Sequence, residues 1–133
     1  MRIHAKTIDE FFNNSGQHKE LLIKLDEIIH NAAPSFEREL YENSSITMIG
    51  YGAGLYKLSK SGKFPIISIA PQKHTANVYI MAYKDGKSII ETYASKLGKV
   101  NCGLSCVRIK RFEDLNLIEF ENMIKDTVVW NNK

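Results

Sequence analysis

Arg108, Lys110 and Arg111, together with Lys57, Lys73 and Lys99, are the densest set of cations in the sequence. Tyr79 and Tyr56 lie in the same stretch and offer aromatic rings. Clustered cations attract phosphate and carboxylate, and bases stack on aromatic faces. This set therefore points to an acidic partner, a phosphate-rich ligand or a nucleic acid. No known nucleic-acid motif accompanies it. A second group is thiol chemistry. Cys102 and Cys106, with His74 upstream, supply soft ligands. Zinc spacings need a second ligand pair, which is missing. Cys106 lies next to Arg108 and Lys110, the setting that makes a thiol reactive. Placed in one extended strand, the two cysteines would have Cα atoms about 13 Å apart at roughly 3.3 Å per residue, beyond disulfide reach. Hydrolytic motifs are absent: there is no Gly-x-Ser-x-Gly, no His-Glu-x-x-His and no phosphate loop. The expectation is a binding protein with no catalytic residues and no enzymatic activity.

The charge pattern reinforces the first group. From Lys57 to Arg111 eleven basic residues face two acids, Asp85 and Glu91, a local charge of +9. Residues 1–56 and 112–133 each carry −3, which leaves the net +3. The chain has 133 residues and is 44% hydrophobic and 25% charged. That is the size of one domain with one core, so residues 1–133 are expected to form a single domain. No run reaches the roughly 20 apolar residues of a membrane span. Met1 to Lys6 lacks the apolar core of a signal peptide. With only two cysteines, free thiols and a cytoplasmic location are expected.

The elements that must position these groups are legible from periodicity. Thr7-Ile8-Asp9-Glu10 has the form of a capping box, ahead of a short helical turn through Phe11 and Phe12. A helix follows over about Gln17 to Ala32, with Leu21, Leu22, Leu25, Ile28, Ile29 and Ala32 on one stripe. Pro34 ends it. Four strands are predicted at Ile46 to Tyr51, Ala53 to Leu58, Phe64 to Ala70 and His74 to Met81. Their short connections imply antiparallel pairing. A helix over about Ser88 to Leu97 ends at Gly98 in the left-handed conformation. A fifth strand, Leu104 to Arg111, precedes a last helix capped by Asn116, over about Leu117 to Val129. Its expected buried side is Ile118, Phe120, Met123, Ile124 and Val128.

The fold class is therefore α+β: an antiparallel sheet of about five strands in the order α-ββββ-α-β-α, with helices on one face. Val78, Ile80, Val107 and Ile109 are expected to face the helices. Asn77, Tyr79, Arg108 and Lys110 are expected on an open polar face.

The stretch Leu97-Gly98-Lys99, then Gly103, then Ser105-Cys106-Val107-Arg108-Ile109-Lys110-Arg111-Phe112-Glu113-Asp114-Leu115 resembles the C-terminal signature of the YdhG-like family. Tyr51-Gly52, Tyr56, Ile69-Ala70-Pro71-Gln72-Lys73-His74 and Val78-Tyr79-Ile80 agree in type and order. Leu104 stands where that family often has Lys, and Cys102 is not usual in it. The resemblance implies a frataxin-like fold. It also implies, for some members, an intracellular iron-chaperone role serving iron–sulfur assembly proteins, with ferrous iron held weakly on surface carboxylates of the first helix and first strand. In this sequence those positions correspond to Asp26, Glu27, Glu37, Glu39 and Glu42, whose hard oxygens suit such a metal.

Overall fold

A row of β-branched side chains organises the molecule. Ile49, Ile69, Val78 and Val107 stand side by side across four antiparallel strands, and none is exposed to solvent. The structure is a computed structural model that describes residues 2–52 and 64–132. Helix α1 (Ile8–Asn13) is capped by Thr7, whose hydroxyl accepts from the Glu10 amide at 3.1 Å. The Glu10 carboxylate reaches the Lys6 amide instead of Thr7, so the cap closes one residue earlier than a capping box. A 3-10 turn, Gly16–His18, leads into α2 (Lys19–Ala32). Strands β1 (Arg38–Glu42), β2 (Thr47–Tyr51), β3 (Ile67–Pro71) and β4 (Ala76–Ile80) follow as a meander. A two-stranded ribbon, β5 (Tyr83–Lys84) and β6 (Lys87–Ser88), precedes α3 (Ile89–Tyr93). Strands β7 (Asn101–Cys102) and β8 (Cys106–Ile109) form a hairpin, and α4 (Leu117–Asn131) ends the chain, capped by Asn116. The main sheet is ordered β1-β2-β3-β4-β8-β7 and is antiparallel throughout.

The fold is α+β with helices against an antiparallel sheet, as the periodicity predicts, and among the described residues the sheet has six strands where about five were expected. Leu22, Leu25 and Ile29 of α2 and Phe120, Met123 and Ile124 of α4 close the core over the Ile49 row. Burying a side chain of this size contributes roughly 1.5–3 kcal/mol, so this layer dominates the stability.

Several elements differ from expectation. Arg38–Glu42 is a strand, although its polar composition hides it; it is an edge strand with mostly exposed side chains. The strand predicted over 53–58 lies outside the described residues. Ile118 does not face the core: it is 75% exposed, and Thr127 is buried instead, its hydroxyl donating to the Met123 carbonyl. Strand β7 was not expected; it carries Cys102, so the two cysteines sit on opposite arms of the β7–β8 hairpin, Cys102 beside Val107 and packed on the core, Cys106 alternating to the other face.

The face away from the helices is not open along its length. Met48, Ser68, Ala70 and Asn77 are buried there. Pro65 lies over Gly50, where a Cβ would meet the proline Cβ at 2.8 Å, and the Phe64 ring packs on Tyr41. Asn77 was expected in solvent and is 5% exposed. Among the described residues this face is covered in its middle and open towards its β4–β8–β7 end, with Glu39 also exposed on the β1 edge.

Candidate functional site: a basic groove at one end of the sheet

Alternation along β8 decides which side chains reach the open end. Val107 and Ile109 point into the core, so Arg108 must point away from it. In the register, Arg108 sits between Asn77 on β4 and Asn101 on β7. Its Nη1 donates to Asn101 Oδ1 at 2.7 Å, which fixes the guanidinium over the sheet. Lys110 follows at the end of β8. Lys99 arrives from the turn after α3, held by its amide bonding to the Asp114 carbonyl at 2.9 Å.

These residues line one groove of about 450 Å³, bounded by Thr75, Lys99, Val100, Asn101, Arg108 and Lys110. Among the described residues, three cations and no carboxylate form its wall. Three neutral polar or apolar side chains complete it. Thr75 donates to Asn77 Oδ1 at 2.6 Å, and Asn77 donates on to the Tyr79 hydroxyl at 3.2 Å. The Thr75 hydroxyl is thus tied to the buried Asn77 beneath the groove, and the charge offered to an anion is that of Lys99, Arg108 and Lys110.

The remaining predicted cations do not join this groove. Lys73 is exposed in the β3–β4 turn, where its carbonyl accepts from Gln17. Arg111 makes a two-point pair with Asp114, Nη2 to Oδ1 at 3.1 Å and Nε to Oδ2 at 3.4 Å. That bond, with the charges of Asp114 and Glu113 behind it, raises the Arg111 guanidinium above its ordinary value. Tyr79 is half-buried and its hydroxyl also accepts from Gln72, so its ring is no free platform. Lys57 lies outside the described residues. Thr75 and Asn101 were not predicted. Asn101 was hidden because a two-residue strand carries no periodicity.

Cys106 borders the groove. A Cβ built on Gly103 would meet its Sγ at 3.2 Å and the Arg108 guanidinium at 3.5–3.6 Å, so Gly103 leaves room for both. Cys102, on the core side, has its thiol pushed up by burial and by the neighbouring Cys106, against a smaller opposing effect of Arg108. Both thiols are free.

The carboxylates implied by the resemblance are dispersed. Asp26 on α2 is 7% exposed. It accepts from the Tyr51 hydroxyl at 2.5 Å and is ion-paired to Arg38. Burial first, and then the Asp26 charge, push the Tyr51 phenol well above its ordinary value. Glu42 is bound to Arg2 at 2.9 Å and accepts from Thr47. Glu39 alternates to the opposite face of β1 from Arg38 and Glu42. Glu27 and Glu37 are exposed. Among the described residues no three His, Cys, Asp or Glu side chains are grouped so as to hold a metal ion. Among them also, no helix is long and apolar enough to cross a membrane.

The fold and this groove define an α+β domain with a cationic recess at one end of its sheet. No family model, curated protein or solved structure matches the chain.

Proposed function

We propose that the protein is a non-enzymatic binding module that takes a phosphate-rich ligand in the Lys99–Arg108–Lys110 groove. The observation that carries this reading is the convergence of three cations on one groove with no carboxylate in its lining. One Arg108 nitrogen is held by Asn101, and the guanidinium has further N–H donors with which to meet a phosphate. The likeness of Leu97-Gly98-Lys99 and of residues 105–115 to the YdhG-like family belongs to the same proposal. These motifs supply the groove's cations. The iron role implied by that likeness has less support, because Asp26 is committed to Tyr51 and Arg38.

The test is calorimetric titration with inorganic tripolyphosphate. Saturable binding is expected for the native chain. Arg108→Glu with Lys110→Glu should weaken it by roughly tenfold or more, since two attractions become repulsions. Binding that survives this double reversal would overturn the assignment of the groove. A single-stranded oligonucleotide run in parallel shows whether nucleic acid is the preferred polyanion. An anaerobic ferrous titration is the counter-test, with Glu27→Lys and Glu39→Lys as its variants. Asp26→Lys is unsuitable there, because it would set a second cation against Arg38 in a buried site.

A further inference from the structure

At the opposite pole of charge lies a second recess, between the β5–β6 ribbon and the C-terminal part of α4. It has a volume of about 250 Å³ and is lined by Tyr83, Trp130, Ile89 and Val129 together with Asp85, Asp126 and Lys84. The Tyr83 and Trp130 rings meet edge to face, with centroids 6.3 Å apart and planes at 67°. They form two walls of an aromatic corner. Tyr83 is 41% and Val129 is 55% exposed, so the recess opens to solvent. The ribbon is held out by Asp85 and Gly86, both with positive φ, which places the Asp85 carboxylate at the rim. Asp126 is anchored from below by a short hydrogen bond from the Tyr93 hydroxyl.

Aromatic faces attract cations within about 6 Å of a ring centroid. A recess with two such rings and two carboxylates favours a positive guest. Its volume lies below the roughly 300–1,000 Å³ of sites for drug-sized ligands, so the guest is small or is a single side chain. We propose that the Tyr83–Trp130–Asp126 recess is a binding site for an alkylammonium group. Among the described residues the one cation in its lining is Lys84, whose Nζ stands 3.8 Å from Asp126. That is the outer limit of an ion pair, with the lysine side chain 56% exposed. Lys84 is thus the internal occupant that an external ammonium displaces. In a chain of net charge +3, this acidic aromatic corner is the complement of the basic groove.

Trp130 is the only tryptophan, so its fluorescence reports on the recess alone. The native chain is titrated with choline and, in parallel, with the uncharged isostere 3,3-dimethyl-1-butanol. Saturable change is expected with choline and not with the alcohol. A peptide carrying one trimethyllysine forms a second arm; tighter binding of the peptide than of choline would make a protein side chain the source of the ammonium. Tyr83→Leu should weaken choline by roughly two- to fivefold. Lys84→Met should tighten it by removing the competitor. An equal response to choline and the alcohol would overturn the proposal. So would unchanged choline affinity in Lys84→Met, a surface change that leaves the core intact.

Discussion

Asp26 shows why single residues of a site are hard to assign from sequence. Its position in α2 and its charge fit a surface ligand as well as a buried anchor. What separates the two is Tyr51, twenty-five positions on, which the sheet brings under the helix. A hydrogen bond to a charged group is worth about 1.5–3 kcal/mol. Tyr51→Phe should therefore lower stability by about that amount in urea unfolding at neutral pH; a loss below 0.5 kcal/mol, roughly the error of such a comparison, would remove the anchor role. Tyr93 makes a prediction of its own. Burial, then the bond to Asp126 and its charge, with Glu119 behind, push the Tyr93 phenol up to about 12. Lys84 and Lys96 are the cations at this site: Lys84 pairs with Asp126, and Lys96 lies over the Tyr93 ring. The folded state therefore holds the proton more tightly than the unfolded chain, whose phenol titrates near 10. The stabilisation is complete below pH 10 and is lost as pH rises towards about 12. Tyr51 adds a contribution of the same sign. Unfolding free energy followed from pH 9 to 12 should fall less steeply in Tyr93→Phe than in the native chain. Parallel curves would sink this account of Tyr93.

Elements with strong periodicity were legible, and those built from turns or edges were not. The α2 stripe and the core side of β4 and β8 follow directly from apolar spacing, and Asn116 caps α4 as its type predicts. Arg38–Glu42 was missed because an edge strand needs no apolar face. The β5–β6 ribbon was missed although Asp85-Gly86 is a strong two-residue hairpin signal, because its arms are only two residues long. Gly98 was read correctly, and here the element matters to the site. Its φ is +98°, and a Cβ there would lie 2.2 Å from the Asp114 carbonyl oxygen. The same short approach lets Lys99 bond to Asp114 and enter the groove. The left-handed conformation alone costs a non-glycine residue about 1–3 kcal/mol, and the clash adds to it. Gly98→Ala is expected to lower the thermal midpoint and also to weaken tripolyphosphate binding by displacing Lys99. A variant with native stability would show that this turn is looser than its geometry states.

Over the whole molecule, the sequence asymmetry of +9 in the middle against −3 at each end becomes a spatial one only in part. Among the described residues, Lys84 and Arg111 are paired with Asp126 and Asp114, Lys73 stands in a turn, and three cations are gathered into the groove. Net charge and local geometry therefore make different predictions for polyanion binding. If the summed charge attracts the ligand, any two charge reversals should act alike, since each pair takes the net charge from +3 to −1. If the groove binds it, position decides. Lys6 and Lys87 are exposed and lie outside the groove. Lys6→Glu with Lys87→Glu should leave the equilibrium nearly unchanged at physiological salt, where exposed charges beyond about 8–10 Å are screened. Arg108→Glu with Lys110→Glu should weaken saturable binding by roughly tenfold or more. By the relation for single strands, neutralising three phosphates gives a slope of log K against log salt of about −2. The Lys6/Lys87 pair should keep that slope, since it leaves the three contacts in place. Equal losses in the two double variants would mean that the groove's geometry adds nothing to bulk attraction, and the recess at the end of the sheet would lose its claim to be a site.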